Sequence, residues 1–360
     1  MASIEQAHVL DALRSVKDPD LHKDIVKLGF VKNLDIEGGR VAFTIELTTP
    51  ACPAKEQMKA QARQAVLALP GVSSVDITMT AQVRAAVPPD LSKVPVAGVK
   101  NVIAVGAGKG GVGKTTVAVN LALALARTGS RVGLLDADVY GPNVPMMLGL
   151  KAQLETDGDK IVPAEQYGLQ VVSMGFLTSD DAPVIWRGPM LHGVIKQFLH
   201  DVRWTDLDYL VVDMPPGTGD VALSLSQTAY VAGAIVVTTP QRVSLADTRR
   251  AVAMYQKLDI PVLGLIENMS HFVCPSCRHE SDIFGRGGGE RAAEDMKIPF
   301  LGRIPISEPI RIGGDSGVPI VLSDPSAPAS EAFHSAAERT AAQVSIQSFR
   351  MPMIPLTPVN

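Results

Sequence analysis

The chain is poor in aromatic residues. Phe, Tyr and Trp together fill only 4% of its 360 positions, while apolar residues make up 46%. Small aliphatic side chains must therefore do most of the packing. That suits a parallel sheet covered on both faces, whose strands read as short unbroken apolar runs. Cysteine is scarcer still. Three residues, an odd number, exclude a disulfide framework and point to a reducing cytosol. Neither sign of charge dominates: a formal net charge of −4 gives no global pull toward nucleic acid or an anionic membrane. No apolar run approaches the roughly 18 residues that span a bilayer. The opening MASIEQAHVLDALRSVKDPD has no basic segment followed by an apolar one, so no signal peptide is expected. These absences predict a cytoplasmic protein with no nucleic-acid and no membrane partner.

The length is ample for two or three domains. Residues 1–85 read as a small α+β unit. SIEQAHVLDALRSVKD has helical spacing in Ile4, Val9, Leu10, Leu13 and Val16. VKNLDIEGGRVAFTIEL alternates on either side of EGG and predicts a hairpin. CPAKEQMKAQARQAVLALPG reads as a second amphipathic helix, and VSSVDITM as a third strand. Residues 86–100 are proline-rich and lack a period, which reads as a linker. From 101 to 345 apolar strands alternate with helices, for instance 114–128 and 244–258. The strands are NVIAVGA, RVGLLDAD, LQVVSM, YLVVDMP, AIVVTTP, VLGLIEN and FLGRIP. This alternation predicts an α/β domain with a doubly wound, mostly parallel sheet. Residues 346–360 read as a proline-rich tail, extended or disordered.

GAGKGGVGKTT follows the first strand of the second domain and opens a helix. It holds the phosphate-loop pattern Gly108-x-x-x-x-Gly113-Lys114-Thr115. Its backbone N–H groups, from Gly108 through Lys109, Gly110, Gly111, Val112 and Gly113 to Thr116, can cradle phosphate oxygens. Lys114 reaches the β- and γ-phosphates of ATP, and the Thr115 hydroxyl ligates Mg²⁺. The segment KGGVGKT resembles the deviant phosphate loop of the MinD/ParA/nitrogenase-iron-protein class. That resemblance implies a nucleotide-sandwich dimer in which Lys109 acts in trans.

Two strand ends carry acids. LLDADVYGPN sets Asp136 and Asp138 just past one buried strand, and YLVVDMPPGTGD sets Asp213 at the end of another. Ligands of open α/β sheets bind at the carboxyl ends of strands, and Mg²⁺ and the attacking water both need oxygen acceptors. Asp213 is assigned near Mg²⁺, Asp138 to orienting the water, and Asp136 to supporting the Mg²⁺ shell. The loop PPGTGD looks like the switch II of this class, which senses the γ-phosphate. Asn268 matches the position that recognises adenine in relatives, and Pro305 is placed in the same pocket.

HFVCPSCRHE carries Cys274 and Cys277 two residues apart. A CxxC pair alone leaves three readings open. It is a redox dithiol, or a zinc site completed by His271 and His279, or half of a site whose other thiolates come from a second copy across a two-fold axis.

KGGVGKTT, DADVYGPN, IWRGPM, VVDMPPGTGD and ENMSHFVCPSC occur in this order. Together they resemble the Mrp/ApbC-type iron–sulfur cluster carrier ATPases over about residues 100–340. The resemblance implies a homodimer bridging a labile iron–sulfur cluster, of the 4Fe–4S kind, on Cys274 and Cys277 of both chains. It also implies ATP hydrolysis that gates handover to apo iron–sulfur proteins. Arg187 in IWRGPM is a candidate for the dimer face or the nucleotide. DPDLHKDIVKLGFV and LTTPACPAKEQM resemble the small iron–sulfur assembly domain often fused in front of this ATPase, with Cys52 at a helix start a candidate for a transient metal or cluster contact. The competing reading is a MinD/ParA-like positioning ATPase with a structural zinc at the CxxC.

Overall fold

The computed structural model describes residues 4–86, 93–139, 141–151, 153–177, 188–217 and 219–350. The chain divides into two compact units, Met1–Arg84 and Ala85–Asn360.

In the first unit, α1 (Gln6–Leu13) is followed by β1 (Val31–Glu37) and β2 (Arg40–Leu47), then α2 (Lys55–Leu67) and β3 (Ser74–Ala81). The hairpin closes at Glu37 opposite Arg40, and β3 runs parallel to β2. The alternation of β2 puts Val41, Phe43, Ile45 and Leu47 into the core. Met58, Ala62 and Val66 of α2, spaced at four residues, are buried with them.

The second unit begins earlier than its first long strand. Val96, inside the stretch read as a linker, is 3% exposed and belongs to the sheet core. Val99 bridges to Leu207, and Lys100 donates its N–H to the Leu207 carbonyl at 2.9 Å. A pair of apolar residues without a period was enough to dock this segment, which corrects the linker reading for residues 93–100.

The elements then run β4 (Val102–Ala107), α3 (Lys114–Arg127), β5 (Val132–Asp136), α4 (Val144–Met147), β6 (Glu155–Asp157), β7 (Lys160–Val162), β8 (Ala164–Gln166) and β9 (Leu169–Ser173). They continue α5 (Gly188–His200), β10 (Tyr209–Asp213), α6 (Gly219–Thr228), β11 (Gly233–Thr238), α7 (Arg242–Lys257) and β12 (Val262–Glu267). The last are β13 (Phe272–Val273), β14 (Glu280–Ser281), α8 (Gly288–Met296), β15 (Phe300–Arg303), α9 (Glu308–Ser316), α10 (Ile320–Ser323) and α11 (Pro328–Arg350).

Among the described residues the main sheet has eight strands in the order β15-β12-β11-β4-β10-β5-β9-β8. All its pairs are parallel except β8 with β9. The parallel strands are the seven apolar runs named above. Their burial is continuous along β4, β5, β10 and β11, as expected where helices cover both faces. Alternate residues such as Ala104, Leu135, Val212 and Val236 enter a core with α5, α6 and α7. Helices α3 and α11 pack on each other, α3 against β4, β5 and β10 and α11 against β12 and β15.

Two features differ from expectation. The hairpin of β6 and β7, and the edge strand β8, are three residues each, too short to show an apolar period. Helix α11 continues to Arg350, so residues 346–350 are helical; the first proline that could stop the helix is Pro352. Residues 351–360 and Arg187 lie outside the described residues. No helix of the described residues is long and apolar enough to cross a membrane.

Candidate nucleotide and thiolate sites

Strand order reverses around β4 and β10: the chain goes from β4 to β5 on one side and from β10 to β11 on the other. The crevice at such a switch point is where open α/β sheets bind ligands. The carboxyl ends of β4, β5, β10, β12 and β15 all contribute to this edge. A cleft of about 560 Å³ opens there, lined by Lys109 through Thr116, Asp138, Asn268 and Pro305 among others. Its volume is that of a small-molecule site.

The glycines of the loop are required by space and by backbone. A Cβ on Gly108 would stand 2.3 Å from the Asp247 carbonyl carbon. Gly113 has φ +77, and a Cβ there would meet Asn268 Nδ2 at 2.3 Å. No side chain caps the N-terminus of α3, so its first N–H groups are available to an anion.

Lys114 is 6% exposed and Asp213 fully buried. The lysine Nζ donates to Asp213 Oδ1 at 2.6 Å and lies 3.7 Å from Asp138 Oδ2. Thr115 Oγ1 donates to Asp213 Oδ2 at 2.7 Å. Burial pushes the Asp213 carboxyl above the usual range, and the Lys114 ammonium and the Thr115 hydroxyl draw it back. One carboxylate thus holds both chemistry-bearing residues of the phosphate loop.

Asp136 sits directly across from Asp213 in the β5–β10 register. Its Oδ1 accepts from the Asp138 N–H at 3.1 Å, and its Oδ2 from Ser173 Oγ at 2.9 Å and the Val144 N–H at 3.3 Å. Burial, then the charge of Asp213, raise its pKa to about 7 against the pull of these bonds. Asp136 is absent from the cleft wall, whereas Asp138 is in it. The carboxylate oxygen beside Thr115 Oγ1 belongs to Asp213, the acid that the sequence sets near Mg²⁺; like Asp136, it does not line the cleft wall. Asp136 braces the turn that presents Asp138.

Lys109 is half-buried on the same wall, as is Pro216 of the PPGTGD loop; Thr218 of that loop lies outside the described residues. Asn268 lines the cleft and its Nδ2 donates to the Val112 carbonyl at 2.8 Å. It therefore braces the phosphate loop as well as facing the ligand space.

Four residues further on, β13 and β14 form a two-rung hairpin whose loop carries the cysteines. The Cys274 N–H donates to the His279 carbonyl at 3.0 Å, and the Arg278 N–H to the Cys274 carbonyl at 2.8 Å. Both thiols are free and Cys277 is exposed. The backbone N–H groups of Cys277 and Ser276, then the Cys277 thiol, lower the Cys274 pKa, which favours a thiolate. His271 Nδ1 is instead hydrogen-bonded to Ser270 Oγ at 2.8 Å. Among the described residues no three His, Cys, Asp or Glu side chains come together to hold a metal. The four-ligand zinc reading within one chain is therefore corrected: the hairpin pairs two thiols and leaves the histidines apart. Cys52 of the first unit is half-buried in the turn before α2, and its carbonyl accepts from the Lys55 N–H.

One buried acid escaped sequence reading. Glu267, at the end of β12, is fully buried. It accepts from the Gly287 N–H at 3.1 Å and the Gly289 N–H at 2.5 Å. Arg303 Nε stands 3.7 Å away, and the same guanidinium pairs with Glu290. Glu267 thereby closes the cysteine-bearing segment back onto the strand that launches it. A charge ending an apolar strand was its only signal. Glu267→Gln turns an N–H donor toward one of these glycines. The expected loss is about 1–3 kcal/mol of stability in the second unit, read from denaturant melts. An unchanged midpoint would remove Glu267 from this role.

A glycine loop feeding a helix N-terminus, with its lysine and threonine on a strand-end aspartate, defines a P-loop NTPase. The family profile described as NUBPL iron-transfer P-loop NTPase matches residues 98–341, and that of an iron–sulfur cluster assembly protein matches residues 6–78. The chain belongs to this iron-transfer P-loop NTPase family. It is 49% identical over 348 residues to an iron–sulfur cluster carrier protein of Synechocystis sp., covering 94% of this chain and 97% of that relative. Among solved structures, it resembles a nucleotide-binding protein of Archaeoglobus fulgidus in complex with ADP. The identity is 38% and the TM-score 0.56, over 62% of this chain and 88% of the other. The septum site-determining protein MinD of Pyrococcus horikoshii OT3, complexed with Mg-ADP, matches at 27% identity and TM-score 0.52, over 69% and 98% of the two chains. The likeness to MinD is one of fold. The sequence family is that of iron transfer, and the positioning-ATPase alternative is not favoured.

Proposed function

We propose that this protein is an ATP-hydrolysing carrier that holds a labile iron–sulfur cluster between two copies of itself and hands it to apo-proteins. The cluster is cargo. The observation that carries this reading is the pair Cys274 and Cys277, presented on a solvent-facing hairpin with no third ligand among the described residues. Two thiolates are half of a cluster's set, and a two-fold axis supplies the other half. The name of the Synechocystis relative supports the same cargo.

In this reading the loop N–H groups and Lys114 grip the β- and γ-phosphates. Thr115 Oγ1 and Asp213 Oδ2, 2.7 Å apart, are hard oxygen donors that fit Mg²⁺, with Asp213 reaching it through water. Bound there, Mg²⁺ would offset charge on the phosphates. Asp138 orients the attacking water, and Lys109 crosses to the partner's nucleotide. Asn268 and Pro305 flank the base. Free thiols suit a reducing cytosol, and apo iron–sulfur proteins are the recipients. A cluster shared by two chains is exposed when they loosen, so nucleotide state can set its release.

Anaerobic reconstitution with iron and sulfide tests this directly. About four irons per two chains are expected on a dimer in size-exclusion chromatography. The Cys274→Ala/Cys277→Ala variant should lose them and keep ADP binding. Iron that survives the double substitution, or that rides on a monomer, would sink the proposal.

A further inference from the structure

The segment that carries the cysteines is fastened to the nucleotide cleft before and after the CxxC. Before it, Asn268 Nδ2 donates to the Val112 carbonyl of the phosphate loop at 2.8 Å. Ser270 then donates both its N–H and its hydroxyl to the Ile304 carbonyl, at 3.0 and 3.2 Å. Phe272 bridges to Ile306, whose N–H donates to the His271 carbonyl at 2.7 Å. Ile306 itself lines the cleft, beside Pro305.

After the cysteines, the chain leaves β14 and turns between Asp282 and Gly285, closed by a 3.0 Å hydrogen bond. That turn sets Phe284 on the cleft wall with Met269 and Ile306. Gly287 and Gly289 then lock onto Glu267. Phe284 keeps 37% of its surface exposed. The chain has few aromatics, and this one is left half-open on the wall of a phosphate-binding cleft. An aromatic face in that position gains burial when an apolar surface covers it. A nucleobase is such a surface, and its π-face stacks on aromatic rings without regard to its hydrogen-bonding edge.

We propose that Phe284 packs against the nucleobase, and that base occupancy thereby sets the posture of the Cys274–Cys277 loop. The proposal rests on the reading that the cleft takes a nucleotide. Phe284 is then a positioning and affinity residue. It joins the ligand at one end of the cleft to the loop that presents the thiols, seven residues after Cys277. The phosphates, held by the loop N–H groups and Lys114, need no part of it.

The full-length protein, reduced and free of metal, allows the test. Affinities for ADP and for inorganic pyrophosphate are measured by calorimetry in wild type, Phe284→Ala and Phe284→Tyr. Phe284→Ala should weaken ADP about tenfold and leave pyrophosphate unchanged; Phe284→Tyr should restore ADP to within about twofold. In parallel, alkylation of Cys274 and Cys277 by iodoacetamide is timed with and without saturating ADP. ADP should change the rate in wild type and Phe284→Tyr, but not in Phe284→Ala, and pyrophosphate should change it in none. Unchanged ADP affinity in Phe284→Ala overturns the base contact. Equal loss for ADP and pyrophosphate makes the ring merely structural. An ADP response in Phe284→Ala equal to wild type overturns the link to the cysteines. Wild type that binds neither ligand removes the nucleotide reading itself, and this proposal with it.

Discussion

Replacing Lys114 by methionine is expected to cut ATP hydrolysis by about 10²–10³-fold and to make the fold sensitive to pH. The first effect follows from losing the cation that meets charge developing on the transferred phosphate. The second follows from what Lys114 does for the protein itself. Its ammonium is the direct partner of Asp213, at 2.6 Å, with side-chain exposures of 7% and 0%. Stranding one member of a buried pair costs about 3–5 kcal/mol. The stranded group here is an acid, whose cost can be relieved by a proton. Burial already raises the Asp213 pKa and Lys114 lowers it, so removing the lysine raises it further. An acid whose folded pKa lies above its unfolded value of roughly 4 binds more protons when folded. Stability then falls as pH rises through that window and stays low above it. Asp136, raised to about 7, acts in the same direction. The methionine variant should therefore be close to wild type in denaturant melts near about pH 5.5 and far below it near about pH 8. Equal destabilisation at both pH values would mean that Asp213 is not the stranded charge.

Much of this arrangement is legible in the sequence because its signals are local. VIAVGA or YLVVD is apolar from end to end, and such a run is buried wherever it lands. The phosphate loop is fixed by glycines whose absence of Cβ is needed within a few residues of one another. What escaped depends on partners distant in sequence. Asp213 is legible as the acid near Mg²⁺, but the bonds that occupy Asp136 are not. Ser173, 37 residues away, donates to its carboxylate. Glu267 is an acid among apolar neighbours until Gly287 and Gly289 fold back to meet it. The zinc reading failed for a related reason. Spacing placed two cysteines and two histidines within nine residues, but the hairpin pairs backbone Cys274 with His279 and leaves His271 on Ser270. The strands β13 and β14 are two residues each, too short to carry a pattern.

We propose that turnover rests on Asp138. It is 7% exposed, faces the cleft, and stands 3.7 Å from Lys114 Nζ. Its backbone N–H donates to Asp136 Oδ1 at 3.1 Å, which anchors the turn that carries it. A carboxylate so held can accept a hydrogen from a water lying between it and a γ-phosphate. Asp138→Asn keeps the shape and one acceptor oxygen but cannot take the proton. Hydrolysis should fall about 10²–10⁴-fold. ADP and ATP affinities should hold or tighten, because a negative charge near the phosphates has been removed. Phosphate release and nucleotide titration on the same preparation separate the two effects. If hydrolysis supplies the step that opens the carrier, this variant should load a cluster as wild type does and, with ATP present, keep it from an apo-acceptor. Hydrolysis within about threefold of wild type would place the water on another group. Full transfer without hydrolysis would instead leave ATP binding alone as the gate.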